Sequence, residues 1–181
     1  IITVVWGNTG GEISVDLTSG CGTQNYQMTV TVSPPPIVDY VFEDFESNRN
    51  LTYGLASGTL TQGVANPAPS TANNSTLTGQ YVRNASEQYD IVLMENSQIG
   101  NALDYVSGKK LLWLDVYTDA PVGTEILLQL EDGTQTSNPY PAGRHSRYAA
   151  RTSVQNAWHR LEFELLDRPD LGVGAFDVNQ L

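Results

Sequence analysis

From Glu12 to Leu17 every second residue is apolar (Ile13, Val15, Leu17), and the same beat returns at Tyr26, Met28, Val30 and Val32. Successive side chains of a strand point to opposite faces, so a period of two marks a strand with one half-buried face. Gly7-Asn8-Thr9-Gly10-Gly11 and Ser19-Gly20-Cys21-Gly22 supply turn residues between such segments. Residues 1–32 therefore predict three consecutive antiparallel strands. A β-sandwich needs about seven. These strands are expected to close a larger domain, in a chain that is an excerpt of a longer polypeptide.

Ser33-Pro34-Pro35-Pro36 follows. Proline has no N–H to give to a ladder and favours a stiff extended spacer. A linker is expected at 33–37, and a second domain at 38–181. In that domain, period-two segments predict strands at Val38–Glu46, Gly79–Asn84, Tyr89–Met94, Lys110–Tyr117, Glu125–Glu131, His145–Thr152 and Ala157–Leu165. Turns and loops rich in Gly, Pro, Asn and Ser separate them. A short helix is expected within Asn96–Tyr105. Asp177–Leu181 reads as the start of a strand, so this domain is expected to continue further. The fold class is all-β, with a jelly roll or sandwich as the second domain.

Charge narrows the function. The 181 residues carry 20 Asp and Glu against 9 Lys and Arg, a formal net charge of -11. Nucleic-acid binding requires clustered cations to neutralise phosphates, so it is not expected. No apolar run reaches the roughly 18 residues of a membrane helix, so no membrane insertion is expected. Cys21 is the only cysteine, which excludes an intrachain disulfide and a cysteine-built zinc site. Scarce lysine with abundant Asn, Thr, Ser and Gly points to an exported, extracellular or cell-surface protein. No nucleophile elbow, His-Glu-x-x-His or phosphate loop occurs, so a non-enzymatic role is expected.

Candidate ligand residues gather on a few strands. In Leu111–Tyr117, Leu112, Leu114 and Val116 form a core set, whereas Trp113, Asp115 and Tyr117 share the other face. Sugar rings offer apolar C–H faces and hydroxyl edges, which an aromatic plate beside a carboxylate suits. The competing reading makes Trp113 and Tyr117 a second layer of core. Gln129 and Glu131 lie opposite the core set Ile126, Leu128 and Leu130, and are able to bond hydroxyls. Arg144 and His145 open a donor-rich patch that recognises hydroxyls or carboxylates, unless it pairs internally with residues such as Glu131. In Trp158–Leu165, His159 falls with Leu161 and Phe163 on an apolar face and reads as a core histidine. Trp158, Arg160, Glu162 and Glu164 take the other face. Glu43, Asp44 and Glu46 supply the hard oxygens that Ca²⁺ needs, without the spacing of a fixed calcium loop.

Two parts of the chain resemble known families. Thr3-Val4-Val5-Trp6-Gly7 and Ser19-Gly20-Cys21-Gly22, ahead of a Val-rich closing strand, resemble the C-terminal end of PKD-like, immunoglobulin-fold modules of exported Bacteroidota-type proteins. Phe42-Glu43-Asp44-Phe45-Glu46, Tyr81-Val82-Arg83-Asn84, Asp115–Thr124 and Gly143-Arg144-His145-Ser146 resemble galactose-binding-like β-sandwich modules of the same multimodular surface proteins. That resemblance implies a glycan-binding role, with β-glucans among the targets, and adds Arg83 to the ligand candidates. It also implies a structural calcium and neighbouring modules of one chain as partners. A stalk or adhesive segment, or an accessory module of a secreted glycoside hydrolase or lyase, are the alternatives.

Overall fold

The structure, a computed structural model, describes residues 11–30 and 40–181. The first predicted strand and the proline linker lie outside the described residues. The chain divides into two units, Ile1–Tyr40 and Val41–Leu181. In the first, β1 (Gly11–Ser19) and β2 (Gly22–Val30) form an antiparallel hairpin that sets Ile13 opposite Met28 and Val15 opposite Tyr26. The period-two pattern thus yields the strands and their shared face. That face is not half-buried: Leu17, Tyr26 and Met28 are more than 50% exposed. Polar pairs on the other side, such as Asn25 Nδ2 donating to Asp16 Oδ1 at 2.6 Å, hold the register.

The second unit is built around an antiparallel sheet in the order β7 (Leu112–Tyr117), β10 (Trp158–Asp167), β9 (Arg144–Arg151), β8 (Glu125–Glu131). Strand β10 serves two neighbours. Its first residues, Trp158–Phe163, pair with β7, and its last, Glu164–Asp167, pair with β9 across a bulge. Strands β3 (Thr52–Ala56) and β6 (Val92–Glu95) form a second ribbon, and β4 (Thr59–Ala65) and β5 (Leu77–Val82) a third.

Residues 179–181 join the first two of these. Leu181 exchanges backbone bonds with Met94 of β6 at 2.7 and 2.9 Å, and Gln180 with Glu131 of β8 at 2.9 and 3.1 Å. The tail therefore fills the gap between two strand edges that would otherwise leave backbone groups unpaired. Val178 and Leu181 enter the core with Leu112, Leu130, Tyr148, Leu161 and Phe163. Over that face lie α1 (Leu103–Val106) and the loops around Ile99 and Val173.

Several expectations are corrected. Val38–Glu46 is not a strand over its described part; residues 40–50 bend tightly, with one isolated bridge between Glu43 and Arg49. The acidic side chains cause this. Glu43 accepts from the Phe45 amide (2.7 Å), and Asp44 from the amides of Glu46 (2.8 Å) and Asn48 (2.9 Å). Such local bonds compete with a ladder, and Phe45 takes a left-handed φ of 59°. The helix shrinks to four residues, because the side chain of buried Asn96 caps a turn through Gln98 N (2.6 Å) and donates to Asn50 O (2.8 Å). Strands β3 and β4 occupy a stretch expected as loop. Glycine has a positive role in the partner strand: a Cβ on Gly79 would overlap the Phe45 ring.

Candidate functional site: the outward face of the sheet

Alternation along β7–β10 sends one set of side chains to the core and the other outward, except that Leu114 of the expected core set is 43% exposed while Leu112 is buried. Leu130, Tyr148, Leu161 and Phe163 are buried. The antiparallel register then fixes who meets whom outside: Trp113 is opposite Glu162, Asp115 opposite Arg160, and Tyr117 opposite Trp158. Directly opposed side chains interact across a strand pair, and two of these pairs do, Asp115 with Arg160 and Tyr117 with Trp158. Arg160 donates to both oxygens of Asp115, from Nε at 2.7 Å and Nη2 at 2.9 Å. Its guanidinium carbon lies 4.6 Å from the centroid of the Trp113 ring. Tyr117 and Trp158 meet at 5.9 Å in a tilted pair, and Trp158 Nε1 donates to Asn66 Oδ1 at 2.9 Å. The bond to Asp115 raises the Arg160 pKa, against a smaller opposing effect of burial.

The ladder continues along the face. Arg147 grips Asp167 from Nε (2.8 Å) and Nη2 (2.6 Å), and Arg151 pairs with Glu125. Gln129 is opposite Arg147 and half-buried, and Leu127 is 46% exposed opposite Ala149. The exposed ring of Tyr140 has the guanidiniums of Arg144 and Arg147 at 5.9 and 6.0 Å.

The predicted ligand residues thus fall in three places. Trp113, Asp115, Tyr117 and Gln129 lie on the outward face. Glu131, Arg144 and His145 do not join them. A register shift after Leu130 sets Glu131 opposite Arg144, so the alternation slips. Glu131 is 4% exposed and His145 0%, so neither reaches a ligand on that surface. Arg144 Nε lies 3.4 Å from Glu131 Oε1, and its Nη1 donates to the carbonyls of Ala142 (2.6 Å) and Thr136 (3.3 Å). Burial raises the Glu131 pKa, and the Arg144 charge pulls it back. His145 Nδ1 is 3.0 Å from Ser146 Oγ, which also accepts from the Tyr148 hydroxyl at 3.1 Å. Arg83 belongs to a third place, the loop after β5, where it donates to the carbonyl of Glu87 at 2.7 Å.

The calcium candidates each serve a separate local task. Glu43 pairs with Arg49 at 2.7 Å and accepts from the Tyr53 hydroxyl at 3.3 Å. Asp44 caps its own turn, and Glu46 accepts from the amides of Thr76 (2.6 Å) and Leu77 (3.0 Å). Among the described residues no group of three or more His, Cys, Asp or Glu is arranged to hold a metal ion. A shallow polar depression elsewhere is bounded by Ser97, Asp132, Thr134, Phe176 and Asp177. None of the sequence-predicted residues lines it.

Arg160, Trp158 and Glu162 were not among the sequence candidates. Their alternation was legible, but their place beside Trp113 depends on the β7–β10 register, which two distant segments set jointly. No family model, curated protein or solved structure matches this chain.

Proposed function

We propose that residues 41–181 are a non-catalytic glycan-binding module of an exported surface protein, and that a polysaccharide lies across the outward face of β7–β10. One observation carries the reading: Trp113, Asp115 and Tyr117 form a row set against Glu162, Arg160 and Trp158. Alternate residues of a strand are about 6.6–7 Å apart, which lets Trp113 and Tyr117 address neighbouring positions of one sugar chain while charged groups between them meet hydroxyls. The jelly-roll, galactose-binding-like identity of the unit belongs to the same proposal.

A stalk or adhesive role is the second reading, and a specific feature favours it. The Trp113 ring is half-buried, its Nε1 is buried with no hydrogen-bond partner among the described residues, and Arg160 covers one side of it. A ring tied into its surroundings in this way serves packing as well as recognition.

Isothermal titration with a soluble β-glucan oligosaccharide separates the two. Loss of an aromatic platform typically costs more than about 1 kcal/mol, so Trp113→Ala weakens binding by roughly tenfold. Phe176→Ala, in the polar depression, is the control and leaves binding unchanged. Unchanged affinity in Trp113→Ala removes this face from consideration. A collapsed melting temperature in that variant makes Trp113 core and favours the stalk.

A further inference from the structure

We propose that the outward face selects uncharged polysaccharides and rejects acidic ones such as polyuronates, an inference that rests on the glycan-binding reading above. Recognition of a carboxylate or sulfate calls for a cation free to form a bidentate pair. Among the described residues the face holds three arginines, and each already has a carboxylate beside it. Arg160 is bound to Asp115 through both oxygens, Arg147 to Asp167 likewise, and Arg151 to Glu125. Each guanidinium keeps N–H donors to spare, but its charge is already offset by the carboxylate beside it, so an incoming anion meets a neutralised pair rather than a free cation.

Two further carboxylates tip the balance. Glu162 and Glu164 project from β10 on the same face, are exposed, and form no salt bridge among the described residues. Glu162 stands directly opposite Trp113, where a sugar stacked on that ring would pass. Five carboxylates therefore face three guanidiniums, in a chain of net charge -11. Repulsion between exposed like charges reaches about 10 Å at 0.1 M salt, so each acidic residue of a polyuronate along this face meets it. A chain of neutral sugars meets none, and its hydroxyls find acceptors in the same carboxylates.

The test titrates the full chain with a soluble β-glucan and with polygalacturonate of matched length, at 20 and 300 mM NaCl, for the wild type, Trp113→Ala and the double variant Glu162→Gln/Glu164→Gln. The β-glucan binds the wild type with little salt dependence. Polygalacturonate binds at least about tenfold more weakly at 20 mM, and the gap narrows at 300 mM and in the double variant. Polygalacturonate binding as tight as β-glucan binding, and lost in Trp113→Ala, overturns the charge selection while leaving the site in place. A gap that neither salt nor the double variant narrows also overturns it. Binding of neither polymer overturns the glycan-binding reading and this inference together.

Discussion

Arg160 and Asp115 stand opposite each other on β10 and β7, and the two-pronged bond between them holds the guanidinium over the Trp113 ring. One ion pair thus sets a charged plate against the aromatic residue on which the proposed binding face depends. It also sets how much of that ring a ligand meets.

The pair is exposed enough for water to weaken it: the side chains are 45% and 29% exposed for Arg160 and Asp115. Asp115→Asn is therefore expected to lower stability by only about 0.5–1 kcal/mol. Urea denaturation measures this. A loss above about 2 kcal/mol would show that the pair behaves as a buried one.

Gly79 faces the Phe45 ring without room for a methyl group. Gly79→Ala forces the ring or the 43–49 turn to move, at a cost of about 1–3 kcal/mol. Thermal melts of that variant beside Gly123→Ser, a glycine with open space around it but a φ of +89°, separate crowding from backbone strain. Removing the ring in Gly79→Ala/Phe45→Ala is expected to cost less than the sum of the single changes.

His145 gives the protein a pH dependence. Burial, with the nearby Arg168 charge as a second cause, holds its pKa below the ordinary 6.5. The unfolded chain then binds a proton that the folded protein refuses, so stability falls as pH drops below about 6.5. Glu131 acts with the opposite sign: its raised pKa costs stability as pH climbs past its ordinary 4.5. The difference between wild type and His145→Gln isolates the histidine. The urea midpoint is expected to fall less steeply between pH 6.5 and 5 in the variant, and equal slopes would assign the effect elsewhere.

Deleting residues 179–181 removes the backbone bonds to Met94, Asn96 and Glu131 and the buried Leu181 side chain. The expected loss is roughly 3 kcal/mol or more. Hydrogen exchange reads the local consequence: the Met94 and Glu131 amides lose protection first, ahead of those in β9. Retained protection at both would mean that β6 and β8 close on each other without the tail.

How far the sequence alone reached follows from where the decisive contacts lie. Strand β8 was readable to the residue, since Ile126, Leu128 and Leu130 alternate cleanly and all meet the core. The all-β class followed from many such segments. Strand β3 was hidden by Gly54, and β4 by Gly58 and Gly63, where close packing and a bulge take the place of the usual side-chain signal. The 43–49 turn was hidden because Phe42, Glu43, Asp44 and Phe45 mimic a strand until their carboxylates meet nearby amides. At the site, the Trp113–Asp115–Tyr117 row was legible as one face of one strand. The inward turn of His145 was not, because it depends on a bulge opposite Glu131. Nor was the grip of Arg160, which depends on pairing between segments some 45 positions apart.

The tail between β6 and β8 also governs the order of events during synthesis. β3 and β6 are complete by residue 95 and β8 by residue 131, yet both await residues 179–181 to be joined. Contacts this distant along the chain are slow to form because loop closure precedes their reward. A nascent chain emerging from the ribosome would carry open strand edges until residues 179–181 were free, and open edges recruit other chains. Products that stop short of residue 179 should therefore be the ones that aggregate, while those that include residues 179–181 close both edges.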